Sequence, residues 1–97
     1  MLLAIDIGNT HILLGCFEER KVLFTELLTT DKTATDLEYA SFIKSALEFN
    51  GQAVDAIEGV IISSVVPQVT GTIKKAVERF SSVEPIVVGR ASRRVSR

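Results

Sequence analysis

Apolar and polar positions divide the chain into short segments with two different periods. Leu2 to Ile5 is an apolar run without charge. A run of that length, closed by a turn sequence, reads as a strand buried on both faces. Asp6-Ile7-Gly8-Asn9-Thr10 ends it, and a second β-prone run, Ile12 to Phe17, follows at once. A hairpin is therefore expected, with an acidic residue near its turn. Glu18-Glu19-Arg20 is a polar turn, Val22 to Leu28 a third strand, and Thr29 to Thr33 a polar connection. Thr35 and Glu38 stand at capping-box spacing, which opens a helix over residues 36–50. Leu37, Ala40, Ile43 and Leu47 form its apolar stripe, with Tyr39, Ala46 and Phe49 beside it. Gly51 is placed to end it.

The pattern then returns to strand. Val60 to Ile62 is a buried run introduced by Gly59 and leaving through Ser63-Ser64. Pro67 suits the first turn of a second helix, whose apolar face is Val69, Ile73, Val77 and Phe80. Pro85 is expected to break that helix, and Ile86 to Val88 is a last short strand. The order is β-β-β-α-β-α-β, an α/β fold with a mixed sheet. Strands joined by short turns are antiparallel. The strands after each helix are expected to run parallel to the first through right-handed crossovers. Ligands collect at the carboxyl ends of parallel strands in such sheets, which would put Asp6 beside Ser63 and Ser64.

Composition narrows the class. Of 97 residues, 46% are apolar and 24% charged, enough for one core in one domain or half of a larger enzyme. No apolar run approaches the roughly 18 residues of a helical membrane span, and no secretory signal is evident. Cys16 is the single cysteine. It excludes an internal disulfide and a cysteine metal cluster, and in a strand pattern it reads as core. These features fit a cytoplasmic protein. The net charge of −1 hides an asymmetry: Arg90, Arg93, Arg94 and Arg97 crowd the end, while the first 89 residues hold seven basic and twelve acidic residues, a net of −5. An acidic body argues against nucleic acid as a partner. Residues 1–89 read as one subdomain and residues 90–97 as a basic tail, disordered or foreign to the fold.

The first turn carries candidate chemistry. The Asp6 carboxylate suits a hard cation or a metal-bound water. Gly8 lets a ligand approach backbone, Asn9 favours turns, and Thr10 offers a hydroxyl. Successive amides of such a turn can cradle an anion. Aspartate for the metal and amides for phosphate would make a nucleotide-phosphate grip. An ordinary hairpin, with Asp and Asn satisfying the turn, is the alternative.

The element order with DIGNT at the first hairpin resembles half of the actin-like ATPase fold, which is related to ribonuclease H. MLLAIDIGNTHILLG, TATDLEYASFIKSAL, GVIISSVVPQVT and VEPIVVG together resemble type III pantothenate kinase, also known as the Bvg accessory factor-like family, over residues 1–89. The resemblance implies phosphorylation of pantothenate by ATP in coenzyme A synthesis, with Mg2+ and a monovalent cation (K+ or NH4+), by a homodimer. It implies that Asp6, Ile7, Gly8, Asn9, Thr10, His11, Ile12 and Leu13 form the ATP-phosphate motif. Asp6 would serve the metal-bound phosphates, and His11 would act mainly through its backbone.

This sequence departs from the family in two places. The family's second half, with its general base, pantothenate contacts and second phosphate motif, has no counterpart here, so no catalytic base is assigned and the chain alone is expected to be inactive. Its exposed apolar surface is expected to favour self-association. The Arg-rich ending replaces a glycine-containing loop, and Lys32 stands where arginine is common. Two other readings compete. A non-catalytic regulatory or half-domain binding protein needs only the grip. A ribonuclease H-like nuclease needs further carboxylates to hold two metals, yet the fourth strand ends in Ser63-Ser64 and Glu84 lies at the opposite strand end.

Overall fold

The computed structural model describes residues 1–89. The reading of residues 90–97 as a basic tail lies outside them. The elements are β1 (Leu2–Ile7), β2 (His11–Glu18), β3 (Lys21–Thr29), α1 (Asp36–Phe49), a single 3-10 turn at Val54–Ala56, β4 (Gly59–Ser64), α2 (Pro67–Phe80) and β5 (Ile86–Gly89). They follow the expected order. One five-stranded sheet runs β3-β2-β1-β4-β5. β1 pairs antiparallel with β2, and β2 with β3. β1 pairs parallel with β4, and β4 with β5.

The crossovers decide where the core lies. β3 to β4 and β4 to β5 both step the same way across the sheet, and right-handed crossovers in one direction put both helices on one face. The two helices pack on each other, over Leu3, Ile5, Ile7, Ile12, Leu14, Val60 and Ile62 of the sheet. This corrects the reading of Leu2 to Ile5 as buried on both faces. β1 alternates, with Leu3, Ile5 and Ile7 inside and Leu2 48% exposed. The opposite face carries Leu2, Leu13, Leu27, Ile61, Ile86 and Val88, all exposed.

α1 has its full capping box. Thr35 Oγ1 accepts from the Glu38 amide at 3.1 Å and Glu38 Oε1 from the Thr35 amide at 2.8 Å. Its end is a Schellman motif: Gly51 takes φ 73°, its amide donates to Glu48, and that of Gln52 to Leu47. Asn50 is the C-cap, not the last helical residue. Tyr39, Ala40, Ile43, Ala46 and Leu47 are buried. Leu37, expected on the apolar stripe, is 57% exposed, and Phe49, expected beside it, is 90% exposed. Both lie in the terminal turns of α1. α2 buries Val69, Ile73, Ala76 and Val77. It stops at Phe80 with Ser81 as C-cap, before Pro85 is reached, so Pro85 does not break it. Cys16 is buried, as expected, with its thiol 3.1 Å from Met1 Sδ.

The β2–β3 turn is tighter than its sequence suggests. Glu18 pairs with Lys21, so Glu19 and Arg20 form a two-residue loop, at φ 49° and 71°. Positive φ at both positions is the type I′ hairpin that Asn-Gly favours. The left-handed conformation costs an L-residue roughly 1–2 kcal/mol. Replacing Glu19-Arg20 by Asn-Gly is therefore expected to stabilise the chain by about 1–2 kcal/mol and raise Tm by about 4 °C or more. An unchanged or lower Tm in thermal unfolding would contradict this.

The N-terminus is tied to the start of β4. The Met1 ammonium donates to Glu58 Oε1 at 2.7 Å and to the Ala56 carbonyl at 2.9 Å. The Glu58 hydrogen bond raises the α-amino pKa, and the same bond lowers that of Glu58. A raised amine contributes stability below its unfolded pKa, lost as pH rises through the folded value. A lowered carboxylate contributes above its unfolded pKa, lost as pH falls. The pair should therefore stabilise between about pH 5 and pH 8. Wild type minus Glu58→Gln in Tm should be small, because Glu58 is exposed, largest in that window, and reduced by salt. A difference that is flat with pH would refute it.

Candidate functional site

β1 and β4 run parallel at the centre of the sheet, and their carboxyl ends define the site. Asp6 pairs with Ser63 and Ile7 with Ser64. Ser63 Oγ donates to Asp6 Oδ1 at 2.9 Å. The juxtaposition expected from the crossover is thus realised. Asp6 lies within β1, opposite Leu13 on β2. Its half-buried carboxylate stands on the open sheet face, two residues before the turn.

Ser64 acts differently from Ser63. Its Oγ accepts from the Val66 amide at 2.9 Å and donates to the Val66 carbonyl at 3.2 Å. It shapes the turn into α2, while Ser63 faces the carboxylate. The Val65 amide donates to the Ile7 carbonyl at 3.1 Å, which joins the exit of β4 to the end of β1.

The residues assigned to the phosphate motif divide into three groups. Asp6 and Leu13 share the open face. Gly8, Asn9, Thr10 and His11 form the turn and its edge; Asn9, Thr10 and His11 are exposed. Ile7 and Ile12 are fully buried in the core, so only their backbones can serve a ligand. The turn closes with the Gly8 amide donating to the His11 carbonyl at 2.9 Å. Neither Gly8 nor Asn9 takes positive φ, so the cradle does not depend on a left-handed residue.

A residue that sequence reasoning passed over completes the site. Thr30, just after β3, donates from its amide to the Thr10 carbonyl at 2.9 Å and from Oγ1 to the Gly8 carbonyl at 2.8 Å. The next residue is clamped in turn. The Tyr39 hydroxyl accepts from the Asp31 amide at 2.7 Å and donates to the Asp31 carbonyl at 2.8 Å. Asp31 Oδ1 accepts from the Thr33 amide and hydroxyl, and these bonds hold its carboxyl below the usual carboxylate range. Nothing in the spacing of a polar loop signals that one threonine reaches a turn 20 residues earlier.

The donor set suits a hard cation held jointly with phosphate. Mg2+ takes one or two carboxylates, waters and substrate phosphates rather than a protein cage. Asp6 offers the carboxylate, and among the described residues no group of three His, Cys, Asp or Glu side chains is placed to hold a metal alone. The nuclease reading needs a second carboxylate here, and the neighbour of Asp6 on β4 is Ser63. Among the described residues, no helix is long and apolar enough to cross a membrane.

Comparison with known proteins agrees with the fold and with the family resemblance. The family model described as type III pantothenate kinase matches residues 2–96. Curated type III pantothenate kinases from Exiguobacterium sp. and Finegoldia magna are 39% identical over 89 residues and 41% over 88. These matches cover 92% and 91% of this chain but 35% and 34% of the relatives, so the chain spans about a third of their length. Among solved structures, ROK hexokinase from Thermus thermophilus superposes with a TM-score of 0.67 at 15% identity, over 91% of this chain and 34% of that one. Thermus thermophilus RuvC gives 0.59 at 20% identity, over 91% and 60%. At such identities these two similarities establish the actin-like, ribonuclease H-like fold alone.

Proposed function

The chain belongs to the type III pantothenate kinase family, and from that premise we propose that it supplies the ATP-phosphate grip of a kinase acting on pantothenate. The observation that carries the proposal is the Asp6–Ser63 pair at the carboxyl ends of two adjacent parallel strands, beside a strapped turn. Sheets of this class bind ligands there.

Each residue then has a limited task. Asp6 holds Mg2+ on the ATP phosphates, directly or through water. Ser63, by donating to one carboxylate oxygen, orients the other. The backbone of Gly8 to His11 receives phosphate oxygens, with Thr10 Oγ1 beside them. Ile7 and Ile12 anchor the two arms of the turn in the core, and Leu13 lies next to Asp6 on the open face. Bound Mg2+ supplies charge neutralisation to the phosphates. Phosphoryl transfer rests largely on such positioning and charge stabilisation. The monovalent cation, K+ or NH4+, rests on the resemblance, and no residue is assigned to it.

The open apolar face supports a second element of the reading. Leu2, Leu13, Leu27, Ile61, Ile86 and Val88 form a patch of the kind that marks an interaction surface. In a working enzyme this face would be covered, and in this chain alone it favours self-association.

The test is titration of the chain with ATP, with and without Mg2+, followed by amide NMR. Shifts at Asp6 and Gly8 to His11 that depend on Mg2+ are expected. Shifts confined elsewhere, or none at millimolar nucleotide, would overturn the proposal.

A further inference from the structure

We propose that Thr30 is a positioning residue that sets which way the amides of the Gly8–His11 turn point. The inference rests on reading that turn as a phosphate grip, but its structural half can be tested separately. Thr30 binds two carbonyls of the turn at once, those of Gly8 and Thr10. Among the described residues every peptide is trans. Across a trans peptide the N–H points opposite to the C=O. Drawing the Gly8 and Thr10 carbonyls toward Thr30 therefore aims the Asn9 and His11 amides to the other side. Those are the two amides flanking Thr10, and an anion would meet both.

The strap is itself supported from the core. Tyr39 is fully buried in α1, and its hydroxyl grips the Asp31 backbone from both sides. Hydrogen bonds at Asp31 and at Thr30, joined by the peptide between them, thus connect the interior of α1 to the turn. Without the Thr30 hydroxyl, the Gly8 carbonyl loses its side-chain donor. The Gly8–Asn9 peptide is then free to rotate, and the cradle loses its preorganisation. Thr30→Val removes the donor and keeps the β-branched shape. Thr30→Ser keeps the donor.

The experiment compares the 97-residue wild type, Thr30→Val and Thr30→Ser by amide hydrogen exchange and by titration with Mg·ATP. Loss of one hydrogen bond corresponds to about tenfold. Thr30→Val is expected to speed exchange of the Gly8 and Thr30 amides by about that factor, with Ile5 and Ile62 unchanged, and to weaken Mg·ATP by a similar factor. Thr30→Ser should restore both. Exchange that is unaltered in Thr30→Val, or altered equally in Thr30→Ser, would overturn the proposal. If the wild type binds no Mg·ATP while exchange responds as described, the strap stands and the phosphate reading falls.

Discussion

Asp6→Asn is expected to weaken Mg·ATP binding about ten- to a hundredfold while the fold survives. The substitution removes one negative charge at the position where β1 meets β4. A hydrogen bond or ligand bond involving a charged group contributes about 1.5–3 kcal/mol, which is that range of affinity. The fold should tolerate the change because asparagine retains an oxygen in place of Oδ1, able to accept from Ser63 Oγ. Thermal unfolding should therefore shift little. ATP without Mg2+ should bind wild type and variant alike, or the variant slightly better, since the lost carboxylate repels phosphate. The measurement is a calorimetric titration of both proteins with and without Mg2+. Equal Mg·ATP affinities would remove Asp6 from the site.

Pantothenate phosphorylation by this chain alone is expected to be undetectable. Transfer requires a group that takes the pantothenate hydroxyl proton, within hydrogen-bond reach and with a pKa near the working pH. The carboxylates around the turn do not meet that condition. Asp6 accepts from Ser63 and, on the proposed reading, holds the metal. Asp31 is held below the usual range by Thr33, which makes it a weak base. Asp36, further along, pairs with Arg79 at 2.6 Å and is lowered by it. The open apolar face should also draw copies together, so sedimentation should show species larger than a monomer. The assay couples ADP release to a reporter, with ATP, pantothenate, Mg2+ and K+ or NH4+ present. Turnover on the order of 1 per second or more would refute the expectation and would require a base within these residues.

Much of the fold was legible locally. The helix start at Thr35 and Glu38 depends on contacts three residues apart, and the stop at Gly51 on contacts within one turn. Such signals sit wholly within a short window of sequence. The element order followed from them, and the residue types of the DIGNT turn suggested a metal and phosphate grip, with an ordinary hairpin as the alternative. The misplaced side chains share one cause. Leu2, Leu37 and Phe49 were assigned to the interior by apolarity, and each is exposed. Hydrophobicity says that a side chain gains from burial, and it does not say whether another element is there to bury it. The left-handed Glu19-Arg20 turn went unseen for a similar reason. The surrounding strands impose φ values that these two residues do not favour.

The sequence by itself therefore determined the strands, the helices, the caps of α1 and the residue types at the first turn. Only the tertiary structure decided which sheet face both helices cover, that Ser63 rather than Ser64 bonds the Asp6 carboxylate, and that Thr30 and Tyr39 hold the turn. Caps and turns are set by neighbours along the chain. Those longer contacts exist because parallel pairing of β1 with β4 and the crossover through α1 fix a register that no local pattern encodes.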